Sequence, residues 1–404
     1  MNNFPTVPGL LPIAGIRLGT TCAGIKKPDH RDLVVFELSP DTSTAAVFTN
    51  NAFCAAPVII AKQHWSSHAP RYLIVNTGNA NAGTGEQGLQ DALSCCEALA
   101  NKVKCKSNEV LPFSTGVIAE PLSVSKIQAA IPVAISNLDQ NGWGDAAWGI
   151  LTTDTVPKAL SRQISVNGKQ VNITGITKGS GMIRPDMATM LAYIATDVGM
   201  SQALLQQCLH SAVNHSFNRI TVDGDTSTND ACVLMATGQS GVQIESVDSE
   251  EYVRFCKVVQ ELCEELAKAI VRDGEGATKF ITIEVQSGRD EDECLQVAYT
   301  IAHSPLVKTA FFASDPNWGR VLAAVGRAGL ANLDISTINI YLADVCVVRN
   351  GGRAVDYTEE RGQAVMVQTD IPIRVELHRG DAQAQIWTCD FSYDYVKINA
   401  EYRT

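Results

Sequence analysis

One segment of this chain combines residues able to cut their own backbone. Lys178-Gly179-Ser180-Gly181-Met182-Ile183-Arg184-Pro185-Asp186-Met187-Ala188-Thr189 is broken by glycines and carries a proline. It runs into Met190-Leu191-Ala192-Tyr193-Ile194-Ala195-Thr196, a run that predicts a buried strand. Gly179 and Gly181 admit backbone angles closed to other residues, and Pro185 stiffens the loop. A strained loop of this kind could press the Thr189 hydroxyl against the Ala188 carbonyl. An N-to-O acyl shift followed by hydrolysis would then leave Thr189 with a hydroxyl and a free α-amine. An α-amine titrates near ~7.7–8, so it can take the hydroxyl proton. Nucleophile and base would sit on one residue. A threonine here also starts a strand well on β-branching alone; the flanking residues favour the chemistry.

Other elements must hold such a loop. Residues 33–38, 45–48 and 72–76 are apolar runs of strand length. Residues 89–103 carry apolar positions at helical spacing. Ser201 reads as the N-cap of a helix over Leu204, Leu205, Cys208, Leu209, Ala212 and Val213. The clearest helix starts near Asp248 or Ser249, with Glu250 and Glu251 suited to its positive end. Its apolar stripe runs from Tyr252 through Phe255, Val259, Leu262 and Leu266 to Ile270, and Gly274 offers a stop. Residues 278–285 alternate as a strand. Strands and helices interleave, and short turns join several strand pairs. This predicts an α/β fold of layers with mixed or antiparallel sheets. At 404 residues, two domains or one large layered domain are expected. The best boundary is the loop before Thr189, giving residues 1–188 and 189–404.

Composition narrows the function classes. Hydrophobic residues make up 45% and charged residues 19%, which fits a soluble globular chain. The net charge of -11 argues against nucleic acid as the main partner, since phosphates need a basic face. No apolar run approaches the ~18 residues of a membrane span, and the N-terminus lacks a basic region. A cytoplasmic protein is expected, with no membrane partner. The 12 cysteines are scattered without a C-x-x-C and read mostly as small buried thiols of a reducing compartment. The seven histidines show no metal spacing, so no metal is expected. Gly83-Thr84-Gly85-Glu86-Gln87-Gly88 spells G-x-G-x-x-G. However, residues 77–82 separate it from the predicted strand, and no suitable acid ends the next one, so dinucleotide binding is not expected.

Many further stretches occur in a fixed order. Asn76-Thr77-Gly78-Asn79-Ala80-Asn81-Ala82, Ser114-Thr115-Gly116-Val117-Ile118 and Thr152-Thr153-Asp154-Thr155 precede the loop. Thr221-Val222-Asp223-Gly224-Asp225-Thr226-Ser227-Thr228-Asn229-Asp230, Asp273-Gly274-Glu275-Gly276-Ala277-Thr278-Lys279 and Ser314-Asp315-Pro316-Asn317-Trp318-Gly319-Arg320 follow it, as does the terminal run from Tyr393 to Thr404. Together these resemble the ornithine acetyltransferase family, also called glutamate N-acetyltransferase, over nearly the whole chain.

The resemblance implies layered mixed-sheet sandwich domains of the N-terminal-nucleophile type. It implies self-cleavage between Ala188 and Thr189 into an alpha fragment, 1–188, and a beta fragment, 189–404. Two copies of each would associate. Thr189 would take the acetyl group from N2-acetylornithine and pass it to glutamate in ping-pong fashion, in arginine biosynthesis. Thr115 and Gly116 match the oxyanion hole, where a hydroxyl and a backbone N–H suit a tetrahedral oxyanion. Thr155, Lys178, Thr189, Glu275, Asn399 and Thr404 are the implied substrate-binding positions. Thr152 and Thr153 lie close enough to Thr155 that a shift among them stays open. Lys178 would hold the shared α-carboxylate, and Glu275 the ornithine ammonium. Acetyl recycling needs no cofactor; acetyl-CoA enters only as a second acetyl donor, if at all. Ala119 stands where the family leads one to expect glycine, and Arg184 and Asp186 where smaller or neutral residues are usual. Two other readings stay open: a self-processed N-terminal-nucleophile amidase or aminopeptidase, and a non-enzymatic amino-acid-binding protein on the same scaffold.

Overall fold

The apolar runs at 33–38 and 72–76 become neighbouring antiparallel strands of one sheet. The computed structural model describes residues 5–26, 29–184 and 190–401. The expected cleavage pair, Ala188 and Thr189, lies outside the described residues, as do Asp186 and Thr404. The chain forms two compact units. The first comprises residues 1–218 and 225–270, and the second 219–224 and 271–404.

In the first unit the elements follow as β1 (Ile16–Thr21), β2 (Leu33–Leu38), β3 (Ser43–Phe48), α1 (Ala56–Ser67), β4 (Tyr72–Asn79), α2 (Gly85–Val103), β5 (Val110–Val117), α3 (Val124–Ser136) and α4 (Trp143–Gly149). Then come β6 (Lys158–Val166), β7 (Lys169–Lys178), β8 (Leu191–Thr196), β9 (Gly199–Met200), α5 (Gln202–Asn214), β10 (Ala231–Ala236), β11 (Gln243–Ile244) and α6 (Glu250–Arg272). One sheet has the order β1-β2-β4-β5 and a second β3-β10-β8-β7-β6, with β9 and β11 as a short pair. Both are mixed: β4 runs parallel to β5 and β8 parallel to β10, while the other pairs within these two sheets are antiparallel.

Side-chain alternation explains the layering. Val34, Phe36, Leu73, Val75 and Phe113 of the first sheet share a core with Ile176, Leu191, Tyr193, Ala231 and Val233 of the second. This is sheet on sheet, the arrangement of a sandwich. The other face of the first sheet, with Leu33, Val35 and Ile74, packs on Cys96 and Leu99 of α2 and Ile127 and Ile131 of α3. The predicted stripe on α6 is buried, and Leu262 and Leu266 lie against Gly175 of β7. The Ser201 hydroxyl accepts from the Leu204 amide, capping α5 as expected. Ser249 does the same for Tyr252 at the start of α6.

The second unit holds β12 (Phe280–Gly288), α7 (Glu291–Ala302), α8 (Pro305–Phe312), α9 (Trp318–Gly326), β13 (Asn339–Leu342), β14 (Val345–Arg349), β15 (Gly352–Arg353), α10 (Glu359–Met366), β16 (Asp370–Glu376), β17 (Ala382–Cys389) and α11 (Tyr393–Ala400). Its six-stranded sheet has the order β15-β14-β13-β16-β12-β17. Ile281, Ile283 and Val285 of β12 point into a core with Val297 and Ile301 of α7 and Phe311 of α8. Thr282, Glu284 and Gln286 alternate with them and are only half-buried, the pattern of a sheet covered on one face. Strand β12 starts at Phe280 rather than Thr278, because the Thr278 and Lys279 amides donate to Asp390 instead.

The expected mixed-sheet α/β layering is therefore what the chain forms. Strand β4 extends to Asn79, three residues past the apolar run. Gly83 to Gly88 then follows a loop of three residues, and α2 starts at Gly85. That turn is already closed internally: Asn81 Nδ2 donates to Gly88 O at 2.9 Å, and Thr84 Oγ1 to Asn81 Oδ1 at 2.8 Å. Among the described residues no helix is long and apolar enough to cross a membrane.

Ala119 adopts φ +61°, the left-handed region that costs a residue with a β-carbon about 1–2 kcal/mol. Its amide donates to Ala82 O at 2.8 Å, which fixes the conformation. Glycine would fit without strain, at a cost in unfolded-chain entropy of about 0.5–1 kcal/mol. Ala119→Gly is expected to stabilise the fold by up to about 1 kcal/mol, read as a higher urea midpoint at unchanged slope.

Candidate active site

The end of β5 is forced out of regular pairing. Gly116 has φ +137°, and a β-carbon there would overlap the backbone of Gly78 and Asn79 on β4. The register between the two strands shifts at Gly78 and Asn79, the mark of a bulge. No residue but glycine allows this approach. Thr115, one residue earlier, is 8% exposed.

Lys178 ends β7, antiparallel to β8 with Lys178 opposite Leu191. Its ammonium donates to Thr115 Oγ1 at 3.1 Å and Thr152 Oγ1 at 3.0 Å. Three expected or weighed positions therefore meet: Thr115, Lys178 and Thr152. Thr155 lies on an exposed stretch. A lysine directed at hydroxyls marks a cationic point beside Gly116, where an anion would gain both charge and donors.

Asp154 organises this point from beneath. Its side chain is fully enclosed, as is that of Lys158 at 1% exposure, and the two form an ion pair at 2.6 Å. Asp154 also accepts from the Gly179 amide at 2.7 Å and the Thr152 amide at 3.2 Å. Burial pushes its carboxyl up, but the charges of Lys158 and Lys178 and the bonds from Lys158 and the Gly179 amide outweigh burial and hold it down to about 2. The carboxylate thus fixes both Thr152 and the first residue after Lys178. At that residue φ is +157°, and a β-carbon would meet Ile183 at 3.0 Å. The expected glycine requirement is met at Gly179, while Met182 is left-handed at φ +54°.

The segment before β10 supplies two more polar side chains. Asn229 Nδ2 donates to Ala80 O at 2.6 Å and to Ser114 O at 2.9 Å, tying this segment to the strand that bears Thr115. Asp230 is 3% exposed. Burial pushes its carboxyl well above the ordinary value; a Ser227 hydrogen bond and the Lys178 charge pull it back only in part.

In the second unit, Glu275 and Asn399 come together although 124 positions separate them: Asn399 Nδ2 donates to Glu275 Oε2 at 2.8 Å. Glu275 is 6% exposed. The residues after it are pinned by Asp390, which accepts from the Thr278 amide and hydroxyl and the Lys279 amide. Gly276 O accepts from Ser392 Oγ at 2.6 Å. Asn399 sits in α11, so the last helix carries a residue to this glutamate. Sequence reasoning missed Asp154, Lys158, Asn229 and Asp230 as site residues. The available signal was a charged or amide residue directly against an apolar strand, as Asp230 precedes six buried residues of β10. Among the described residues no group of three or more His, Cys, Asp or Glu could hold a metal ion.

Known proteins match this chain along its length. The model of the ArgJ family matches residues 17–404. The arginine biosynthesis bifunctional protein ArgJ of Pseudomonas syringae pv. tomato is 56% identical over 399 residues, covering 98% of each chain. Its namesake from Methylococcus capsulatus is 56% identical over 395 residues, covering 98% of this chain and 97% of the other. A solved structure of arginine biosynthesis bifunctional protein argJ from Bacillus halodurans aligns with a TM-score of 0.50 at 40% identity, covering 52% of this chain and 99% of that one. With the family pattern matched from β1 through the last helix, this chain belongs to the ArgJ family.

Proposed function

We propose that this chain is an acetyltransferase of arginine biosynthesis that cuts itself between Ala188 and Thr189. It carries an acetyl group from N2-acetylornithine to glutamate on the Thr189 hydroxyl. The observation that supports this most directly is the convergence of Lys178, Thr115 and Gly116 next to the strand that follows Thr189. The freed α-amine takes the Thr189 hydroxyl proton, the oxygen attacks the acetyl carbonyl, and Thr115 with the Gly116 amide receives the oxyanion. Ornithine leaves, glutamate enters, and the ester is aminolysed by the reverse steps. Lys178 holds the α-carboxylate common to both substrates. Glu275, oriented by Asn399, takes the ornithine ammonium; Thr152 or Thr155, and Thr404, complete the contacts.

Recycling in this form uses no cofactor. The relatives' name, bifunctional, favours a second reaction in which acetyl-CoA acetylates glutamate on the same threonine. Two alpha and two beta fragments would form the mature assembly in the cytoplasm, with no nucleic acid or membrane partner. Mass spectrometry of the purified protein tests the cut, and an assay of acetylornithine with and without glutamate tests the transfer. Two fragments with glutamate-dependent turnover support the reading. Acetyl release to water alone would point to an amidase, and an intact chain without turnover to a binding protein.

Two substitutions test the division of labour. Thr115→Ala should lower kcat by about 10²-fold with KM little changed, as loss of one oxyanion donor does. Lys178→Ala should raise KM for acetylornithine and for glutamate alike; an unchanged KM for both would remove its anchoring role.

A further inference from the structure

Asp230 carries a buried carboxyl that the reactions above leave unused. Its backbone is held on two sides: Thr49 N donates to Asp230 O at 3.0 Å, and the next amide, Ala231 N, donates to Met190 O at 2.9 Å. Leu191 pairs with Ala231 on one flank and Lys178 on the other. The start of β8 is thus clamped between the residue after Asp230 and the lysine of the site. Asp230 thus stands level with Met190, the residue that follows Thr189 in the sequence.

Structural duties here fall to the neighbour. Asn229 spends its amide on Ala80 O and Ser114 O, and its Oδ1 accepts from Thr228 Oγ1. Asp230 has a side-chain hydrogen bond with Ser227, but its Oδ2 is buried and has no hydrogen-bond partner among the described residues. Leaving a buried carboxyl oxygen unpaired costs about 1–3 kcal/mol, a cost that packing alone does not explain and a chemical duty would. The titratable groups that act on it or feel it are Lys178 from β7 and Cys54 from the segment before α1. Burial keeps this carboxyl protonated at pH values where an exposed aspartate is ionised.

We propose that Asp230 is the acid that protonates the Thr189 amide nitrogen as the Ala188–Thr189 bond breaks. The inference rests on the self-cleavage reading. An amide nitrogen leaves poorly unless it gains a proton. As the Thr189 oxygen forms its bond to the Ala188 carbonyl carbon, the carbon–nitrogen bond breaks and the Asp230 proton passes to nitrogen. The hydroxyl proton returns to the Asp230 carboxylate. Water then hydrolyses the ester, leaving a carboxyl on Ala188 and the hydroxyl and amine on Thr189. No electron transfer or outside reagent besides water is involved.

The test follows newly synthesised chain on denaturing gels from pH 5.5 to 9, for wild type, Asp230→Asn and Asp230→Glu. Wild type should be cut more slowly as pH rises through the Asp230 titration. Asp230→Asn should be cut at least about 10²-fold more slowly with that pH dependence gone, and Asp230→Glu should regain part of the rate. Folding is checked apart from cutting by melting the uncut Thr189→Ala chain with and without Asp230→Asn, which should agree. Cutting of Asp230→Asn at the wild-type rate overturns the proposal. So does slow cutting that keeps the wild-type pH profile and comes with a lowered melting temperature, since that is a packing role. A wild-type chain that is never cut overturns the cleavage reading itself and this proposal with it.

Discussion

Thr189→Ala is expected to leave one unbroken chain and to lower acetyl transfer by at least about 10⁴-fold. Two losses combine. Without the hydroxyl no acyl shift can begin, so the α-amine of residue 189 stays locked in a peptide bond. Without the hydroxyl there is also no oxygen to carry the acetyl group, so supplying a cut chain would not restore turnover. Loss of a covalent nucleophile typically removes most of an enzyme's rate, with residual activity left to the oxyanion donors and binding. Thr189→Ser separates the two roles, because it keeps an oxygen and should retain measurable cutting. Intact mass and the acetylornithine–glutamate assay on the same preparation read both effects. Wild-type turnover in Thr189→Ala would sink the mechanism outright.

The second large effect is expected at Asp154. Asp154→Ala removes the ion-pair partner of an enclosed lysine, Lys158, and an acceptor for the Gly179 and Thr152 amides. Breaking one side of a buried pair typically costs about 3–5 kcal/mol, because the remaining charge is stranded. Replacing both members, Asp154→Ala with Lys158→Met, should recover part of that loss. Activity should fall further than stability alone requires, since Thr152 and the backbone after Lys178 lose their anchor. The carboxyl is depressed from about 3.8 to about 2. Its stabilisation is therefore fully present above pH ~4 and lost as pH falls through ~2. The shift is worth roughly 2 kcal/mol. Acid unfolding of wild type should show this loss between pH 4 and 2, and Asp154→Asn should not.

Much of this fold is legible in the sequence, for physical reasons that differ by element. The α6 stripe and the caps at Ser201 and Ser249 are local, so spacing and side-chain chemistry suffice to find them. Strand β4 was readable only to Asn76. Thr77-Gly78-Asn79 looks like turn residues, and it stays extended because parallel pairing with β5 holds it around a bulge. The parallel contact of β8 with β10 joins segments far apart in the chain and leaves no local trace. The spacing of Asp154 and Lys158 suits a surface helix, yet the pair is sealed where a loop enters β6. Lys178 and Thr115 were reached through the family pattern, and the bond between them through geometry. Asp230 was invisible for another reason: an aspartate is ordinarily assumed to face water.

The five-stranded sheet has a consequence for the protein's lifetime. Its order, β3-β10-β8-β7-β6, draws β3, β7 and β6 from before residues 185–189 and sets β10 and β8, from after them, between β3 and β7. A break there would leave two polypeptides woven through one hydrogen-bonded ladder, which keeps them together without a covalent link. Heat or urea would separate them, and restoring the weave would then require two molecules to find each other. The mature form should unfold irreversibly and recover poorly on dilution, whereas the uncut Thr189→Ala chain should refold at any concentration. Assembly would be a once-only event, recorded in the interleaving of the strands.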